Sequence, residues 1–298
     1  MKLIVQPDDG VKPVVEAIRK ARKSIDIVIF RFDRQEVEKA LQAAVAHGVA
    51  VRALIAHTNR GGEKNLRKLE MRLLEYGVTV ARTADDLPRY HGKMIVIDAS
   101  TLHVYGFNYT KLDIDKSRSL GIVTRDRRLV QEAMKLFEAD ACRQPYSPSH
   151  PRFVVSPENS REALTAFIRG ARKQLLIYDQ GVTDNLIQRV LLDRARAGVD
   201  VRIIGKLERD LPGVKARKLD SRLHIRSIVR DGCEVFVGSQ SLRRLELDGR
   251  REIGVVVKDT AIARKVQAVF ESDWSRCGGK KTAAADEDKE KEKAEKAS

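Results

Sequence analysis

The strongest constraint on this chain is an internal duplication. Residues 47–55, HGVAVRALI, align with residues 197–205, AGVDVRIIG, at an offset of 150. Residues 90–98, YHGKMIVID, align with residues 223–231, LHIRSIVRD, at an offset of 133. A repeat longer than 100 residues means two copies of one folding unit, so both copies must obey one topology. In the first copy apolar periodicity predicts helices over 14–22 and 35–47, with strands over 24–32 and 49–56. Gly48 stops the second helix. The second copy repeats this order with helices over 161–171 and 184–197 and strands over 174–178 and 199–205; Gly198 is the stop. Each copy then resumes with a third strand, over 118–126 or 251–259, and a closing helix, over 127–142 or 260–276. The first copy alone has an extra helix over 63–76, where the second has only a linker over 206–222. That difference accounts for the shrinking offset. Alternation of this kind predicts an α/β fold of βαβ units with largely parallel sheets. The expected division is a unit over 1–148, a second over 149–277 and a disordered, charge-alternating tail over 278–298.

His91 and Lys93 stand two apart at the mouth of an apolar run, so an extended chain projects them from one face. An imidazole beside a fixed cation suits an anionic group, with a nucleophile or proton carrier next to it. Alone such a pair is commonplace; His224 and Arg226 make it two. Asp98 and Asp231 close their strands and are expected to cap backbone donors rather than take part in chemistry. His47, His57, His103 and His150 are expected to be packing or surface residues, and Gly61-Gly62 a turn.

The 298 residues carry a net charge of +15. The excess is +7 up to residue 148, +8 over 149–277 and zero in the tail, so both units favour anionic partners. Aromatic content of 5% argues against a base-stacking platform for single strands. Cys142, Cys233 and Cys277 show neither disulfide nor metal spacing, which fits a reducing compartment. No run approaches the roughly 18 apolar residues of a membrane span, and the N-terminal run is too short for a signal peptide. A cytoplasmic protein whose membrane access is peripheral is expected.

The two boxes, HxKxxxxD in the first copy and HxRxxxxD in the second, are each followed by a glycine-containing turn and an apolar G-V strand. This pattern resembles the phospholipase D superfamily of duplicated phosphodiesterases over nearly all of residues 1–277. The resemblance implies two α/β/α units packed about a pseudo-twofold axis, with mixed, mostly parallel sheets and both boxes in one site. It implies that one histidine, assigned to His91 in the better-preserved box, attacks phosphorus to give a phosphohistidine. His224 then protonates the leaving oxygen and activates the acceptor, without cofactor or metal. Lys93 and Arg226 neutralise the phosphate oxygens, Asn108 and Gln240 contact them, and Glu252 orients a histidine. Ser119 occupies the place of Glu252 in the first copy and offers no carboxylate, so an asymmetric site is expected. The implied partner is a phosphodiester, phospholipid ahead of nucleic acid, with no oligomer required. Arg226 departs from the family's second lysine; it keeps the charge but not the point geometry of an ammonium, so with Ser119 it leaves a catalytically impaired phosphate-binding protein of the same fold as the alternative to an enzyme on phospholipid or nucleic acid.

Overall fold

The computed structural model describes residues 1–57 and 63–277. The expected turn at Gly61-Gly62 and the tail over 278–298 lie outside them. The first half runs β1 (Lys2–Gln6), α1 (Lys12–Arg19), β2 (Ser24–Ile29), α2 (Gln35–Ala46), β3 (Ala50–Ile55), α3 (Glu63–Glu75), β4 (Thr79–Arg82), β5 (Met94–Ile97), β6 (Thr101–Tyr105), α4 (Lys111–Lys116), β7 (Ser117–Thr124) and α5 (Arg127–Ala141). The second runs β8 (Phe153–Ser156), α6 (Ser160–Arg169), β9 (Gln174–Val182), α7 (Asn185–Arg196), β10 (Asp200–Leu207), β11 (Val214–Arg217), β12 (Arg222–Leu223), β13 (Arg226–Arg230), β14 (Glu234–Gly238), α8 (Arg244–Asp248), β15 (Glu252–Val257) and α9 (Thr260–Arg276).

Each half builds one sheet, in the order β1-β7-β6-β5-β2-β3-β4 and β11-β10-β9-β13-β14-β15-β8. Both sheets are mixed. Pairing is parallel across β2-β3-β4 and β9-β10-β11, where helices cross over. It is antiparallel across the remaining strands of each sheet, so parallel ladders are fewer than helix–strand alternation suggests. The reason is local. After each box the chain reverses in three residues, with Asp98 and Ala99 or Asp231 and Gly232 at positive φ, and a connection so short joins only antiparallel strands. The supposed linker of the second half contains β11, and edge strands β1 and β8 add to the expected set.

One apolar core spans both sheets. Val104, Leu120 and Ile122 meet Val155, Val237 and Val255, together with Leu136 and Phe137 of α5 and Val266 and Phe270 of α9. Separate outer cores lie under α1, α2 and α3 (Ile18, Leu41, Leu69) and under α6 and α7 (Ile168, Leu191). The apolar stripe of each helix is thereby buried.

Asp98 and Asp231 sit at the far ends of β5 and β13 from the box cations. Asp98 accepts N–H bonds from Arg22, Lys23 and Ser24 at 3.0, 2.7 and 3.0 Å. Asp231 accepts the equivalent three from Arg172, Lys173 and Gln174. Burial pushes the Asp98 carboxyl up, but these backbone bonds outweigh it and hold it below its ordinary 3.8. The ionised form therefore stabilises the fold above pH 3.8, and that contribution fades as pH falls below it. Asp98→Ala is expected to cost about 1–3 kcal/mol in denaturant unfolding, because three donors lose their acceptor. A change below about 0.5 kcal/mol, the range of an ordinary surface substitution, would contradict the clasp.

Candidate active site

Each box is carried onto the other half's third strand. The segment leading to His91 runs beside the start of β15: Arg251 N donates to Arg89 O at 2.9 Å, and His91 N donates to Arg251 O at 2.7 Å. In the mirror arrangement β12 pairs with the start of β7, and His224 N donates to Arg118 O at 3.1 Å. Gly92 lets the first box lie this close, since a Cβ there would stand 2.4 Å from Ile253 Cδ1. Neither half alone holds its own histidine.

His91, Lys93 and Glu252 are all buried. Lys93 Nζ lies 2.8 Å from His91 Nε2, and Glu252 lies 2.8 and 3.1 Å from Nδ1 through its two oxygens. A carboxylate only accepts and an ammonium only donates, so the proton sits on Nδ1 and Nε2 carries the lone pair. Phe30 packs edge-on against the imidazole with centroids 4.5 Å apart. Burial, followed by the charges of Lys93, Arg226, Arg89 and Arg250, pushes His91 well below 6.5 and keeps it neutral. Burial likewise pushes Lys93 well below its ordinary 10.5 and raises Glu252, so both charges lack their solvation until an anion enters.

His224 faces a carboxylate that sequence reasoning missed. Asp113 Oδ2 on α4 lies 3.4 Å from His224 Nδ1. Asn108 holds that oxygen through both its backbone N–H and its side-chain amide, at 2.9 and 2.6 Å, and Arg222 donates to the other at 2.6 Å. Burial raises the Asp113 carboxyl, but His224, the Asn108 amide and Arg222 together hold it below 3.8. Ser119 occupies the expected strand position, with its hydroxyl buried and unpartnered. Ser119 itself supplies no carboxylate, but the asymmetry expected from it is offset, for Asp113 on α4 supplies one instead. The available signal was Thr110-x-x-Asp113, a capping-box spacing; Thr110 does accept from Asp113 N at 3.2 Å, while the acid itself turns to the histidine. Burial and the Arg226 charge push His224 well below 6.5 against the pull of Asp113.

Arg226 opens β13, buried, with one bond from Nη2 to Gln180 Oε1 at 2.9 Å. Its Nη1 and Nε have no partner, and burial lowers its affinity for the proton. Desolvated donors of this kind suit a phosphate. Gln180, a second missed residue, also donates to Leu223 O and so ties the second box to β9.

Asn108 and Gln240 are not equivalent, contrary to the sequence pairing. The ladders match Val104 with Ile122 and Val237 with Val255, which makes Ser241 the counterpart of Asn108 and Phe107 that of Gln240. A one-residue slip exchanges the two faces of a strand. Gln240 accordingly donates to Val154 O at 2.9 Å in the core of its own sheet, rather than reaching for a substrate oxygen. Ser241 donates to the buried Asp179, whose charge acts on Arg226. Of the remaining histidines, His103 is buried against Tyr105 and pushed down to about 4 by burial, and His47 lies against Ala43 O. Among the described residues no three His, Cys, Asp or Glu side chains are grouped to hold a metal ion, and no helix is long and apolar enough to cross a membrane.

The pairing of one imidazole and one cation from each half, braced by crossed carboxylates, can be set against known proteins. No curated protein sequence matches the chain. The fold is shared with solved structures, among them two that superpose over most of this chain. A polyphosphate kinase from Porphyromonas gingivalis superposes with a TM-score of 0.73 at 22% identity over 91% of this chain, which spans only 49% of that enzyme's length. A phosphatidylserine synthase from Haemophilus influenzae Rd KW20 superposes with a TM-score of 0.70 at 11% identity, covering 92% of this chain and 85% of the other. The family model described as "Cardiolipin synthase, PLD-like domain" matches residues 14–141 and 164–274. The chain therefore belongs to that family, within the phospholipase D superfamily.

Proposed function

We propose that the protein is a phospholipase D-type phosphodiesterase that hydrolyses or transfers phosphatidyl groups through a covalent phosphohistidine at His91. The observation that carries this reading is the placing of His91 between Glu252, 2.8 Å from Nδ1, and Lys93, 2.8 Å from Nε2, from which we assign the ring proton to Nδ1. The Nε2 lone pair attacks phosphorus as the bond to the leaving alcohol oxygen breaks. Protonated His224 gives its proton to that oxygen, and Glu252 offsets the positive charge gained by the His91 ring. In the second half-reaction neutral His224 takes a proton from water or an alcohol, whose oxygen displaces His91 from phosphorus. Lys93 and Arg226 balance the non-bridging oxygens throughout. Entry of the anion raises the proton affinity of His224, which burial and Arg226 otherwise hold down.

The phospholipid preference rests on what the matched family and the phosphatidylserine synthase are named for. A screen of purified protein in chelator tests it against phosphatidylcholine, phosphatidylglycerol, an aryl phosphodiester and DNA. Release of the lipid headgroup or its exchange for an added alcohol is expected. Salt-sensitive cleavage of DNA alone would make the protein a nuclease, and no turnover of any diester would remove the enzymatic reading.

Arg226 separates catalysis from simple binding. Arg226→Ala should cost about 1.5–3 kcal/mol, or roughly ten- to hundredfold in kcat/KM, by removing charge-assisted bonds to phosphate. Arg226→Lys restores a cation and should leave at least about a tenth of the activity. Equal damage from both substitutions would show that Gln180 and not phosphate is the partner that counts.

A further inference from the structure

We propose that Arg118 and Arg251 are positioning residues, each setting one histidine of the site from the opposite half of the molecule: Arg251 sets His91 and Arg118 sets His224. This deepens the functional reading above and rests on it, since it supposes that the two histidines work on one phosphate.

The two arginines occupy equivalent places 133 residues apart, the same spacing as the histidines and as Asp140 and Asp273. Arg251 binds the first half twice. Its backbone brackets the first box, giving its N–H to Arg89 and taking that of His91. Its guanidinium reaches Asp140 on α5 at 3.1 Å, and Tyr90, next to His91, lies with its ring centroid 5.6 Å from the guanidinium carbon. The other side of the guanidinium is anchored at home, on Ser156 O at 3.1 Å and on Glu158. Arg118 repeats the construction in reverse. Its carbonyl takes the His224 N–H, and its guanidinium reaches Asp273 on α9, with Nε 2.9 Å from the carboxylate. Its home anchors are Gln6 O at 2.9 Å and Asp8 at 3.0 Å.

Both guanidiniums are buried. Any residue's carbonyl can accept an N–H, so the backbone bond alone does not call for arginine. What the side chain adds is a closed loop: histidine, backbone of the third strand, guanidinium, and an aspartate on a helix of the histidine's own half. A five-donor planar fork can close it; a lysine offers a single point. Buried ion pairs contribute little net stability compared with apolar replacements, and their best-attested use is to fix register. Here the register fixed is that of one half-site against the other, and the tie ends on the nucleophile and the proton carrier. Arg251 also precedes Glu252 directly and Arg118 precedes Ser119, so a shift of the arginine moves the residue that faces, or would face, the imidazole.

The test uses the full chain labelled with 15N in histidine, comparing wild type, Arg251→Lys, Arg118→Lys and the paired replacements Arg251→Met with Asp140→Leu and Arg118→Met with Asp273→Leu. The paired replacements remove the tie without leaving a buried aspartate unpaired; in the Arg118 pair Tyr178, whose buried hydroxyl donates to Asp273 at 2.6 Å, is changed to Phe as well. Changing Arg251 should alter the Nδ1–H signature of His91 and move its titration toward the ordinary value of about 6.5, leaving His224 as it was. Changing Arg118 should do the reverse. On the best diester of the screen, kcat should fall on the order of 10²-fold, as for a reacting group misplaced by about 1 Å, with KM nearly unchanged. With an aryl leaving group that departs without a proton, the first-turnover defect should shrink in the Arg118 variants and persist in the Arg251 variants. Folded variants in which neither histidine signal moves, or in which both move alike, would overturn the assignment. Side-specific shifts in a protein whose wild type turns over no diester would keep the positioning assignment and remove the phosphodiesterase reading instead.

Discussion

His91→Ala is expected to reduce turnover to background, a loss of about 10⁴- to 10⁶-fold of the kind seen when a nucleophile is deleted. The size follows from the surroundings. The other charged groups acting on His91, Lys93, Arg226, Arg89 and Arg250, serve as cations rather than nucleophiles, and Glu252 already accepts from the ring it would replace. His224→Ala should differ in kind. An alkyl diester would stall for want of a proton donor, whereas an aryl diester would still phosphorylate His91 and then accumulate the intermediate because no base activates water. If His224→Ala lost the burst of aryl alcohol and His91→Ala kept it, the roles of the two histidines would be exchanged.

The second large effect is expected at Glu252. Glu252→Gln keeps the volume and the hydrogen-bonding reach but can set an amide N–H against Nδ1, so the ring loses the acceptor that holds its Nδ1 proton and its orientation. It also removes the negative charge that offsets the developing imidazolium. The loss should be about 10²- to 10⁴-fold in kcat with KM nearly unchanged. Because the carboxylate partly offsets Lys93 and Arg226, its removal should press His91 further below 6.5, so the free-enzyme acid limb should move to lower pH and not higher. Asp113→Asn should cost less, since Asp113 stands 3.4 Å from His224 and divides its charge between Arg222 and the Asn108 amide. A Glu252→Gln enzyme with unaltered kcat would mean that the tautomer is set by something other than this carboxylate.

The duplication was legible because it is written in apolar periodicity, which a helix or strand shows without knowing its neighbours. β1, β4, β8 and β11 were not read, being strands of four or five residues whose pairing partners lie elsewhere in the sequence. α4 and α8, of six and five residues, are too short to carry a periodic signal. His91, Lys93, His224 and Arg226 were legible because each pair lies within one strand mouth. Their supports were harder to see. Glu252 was found, but the half it serves was not evident, and Asp113, Gln180, Arg118 and Arg251 act on residues remote in sequence. Crossed bracing between two copies leaves no local spacing to detect. The pairing of Asn108 with Gln240 failed for a different reason: the turns after β6 and β14 look alike in either register, and only the ladder decides which face a side chain takes.

The most direct measurement is an acid quench during turnover of a diester carrying labelled phosphorus, followed by mapping of the labelled peptide. The proposed mechanism requires acid-labile phosphate on His91 of the wild-type protein, more of it in His224→Ala with an aryl substrate, and none in His91→Ala. Label on His224 would reverse the assignment of roles. Full turnover with no trapped phosphohistidine on either residue would contradict covalent catalysis at this site.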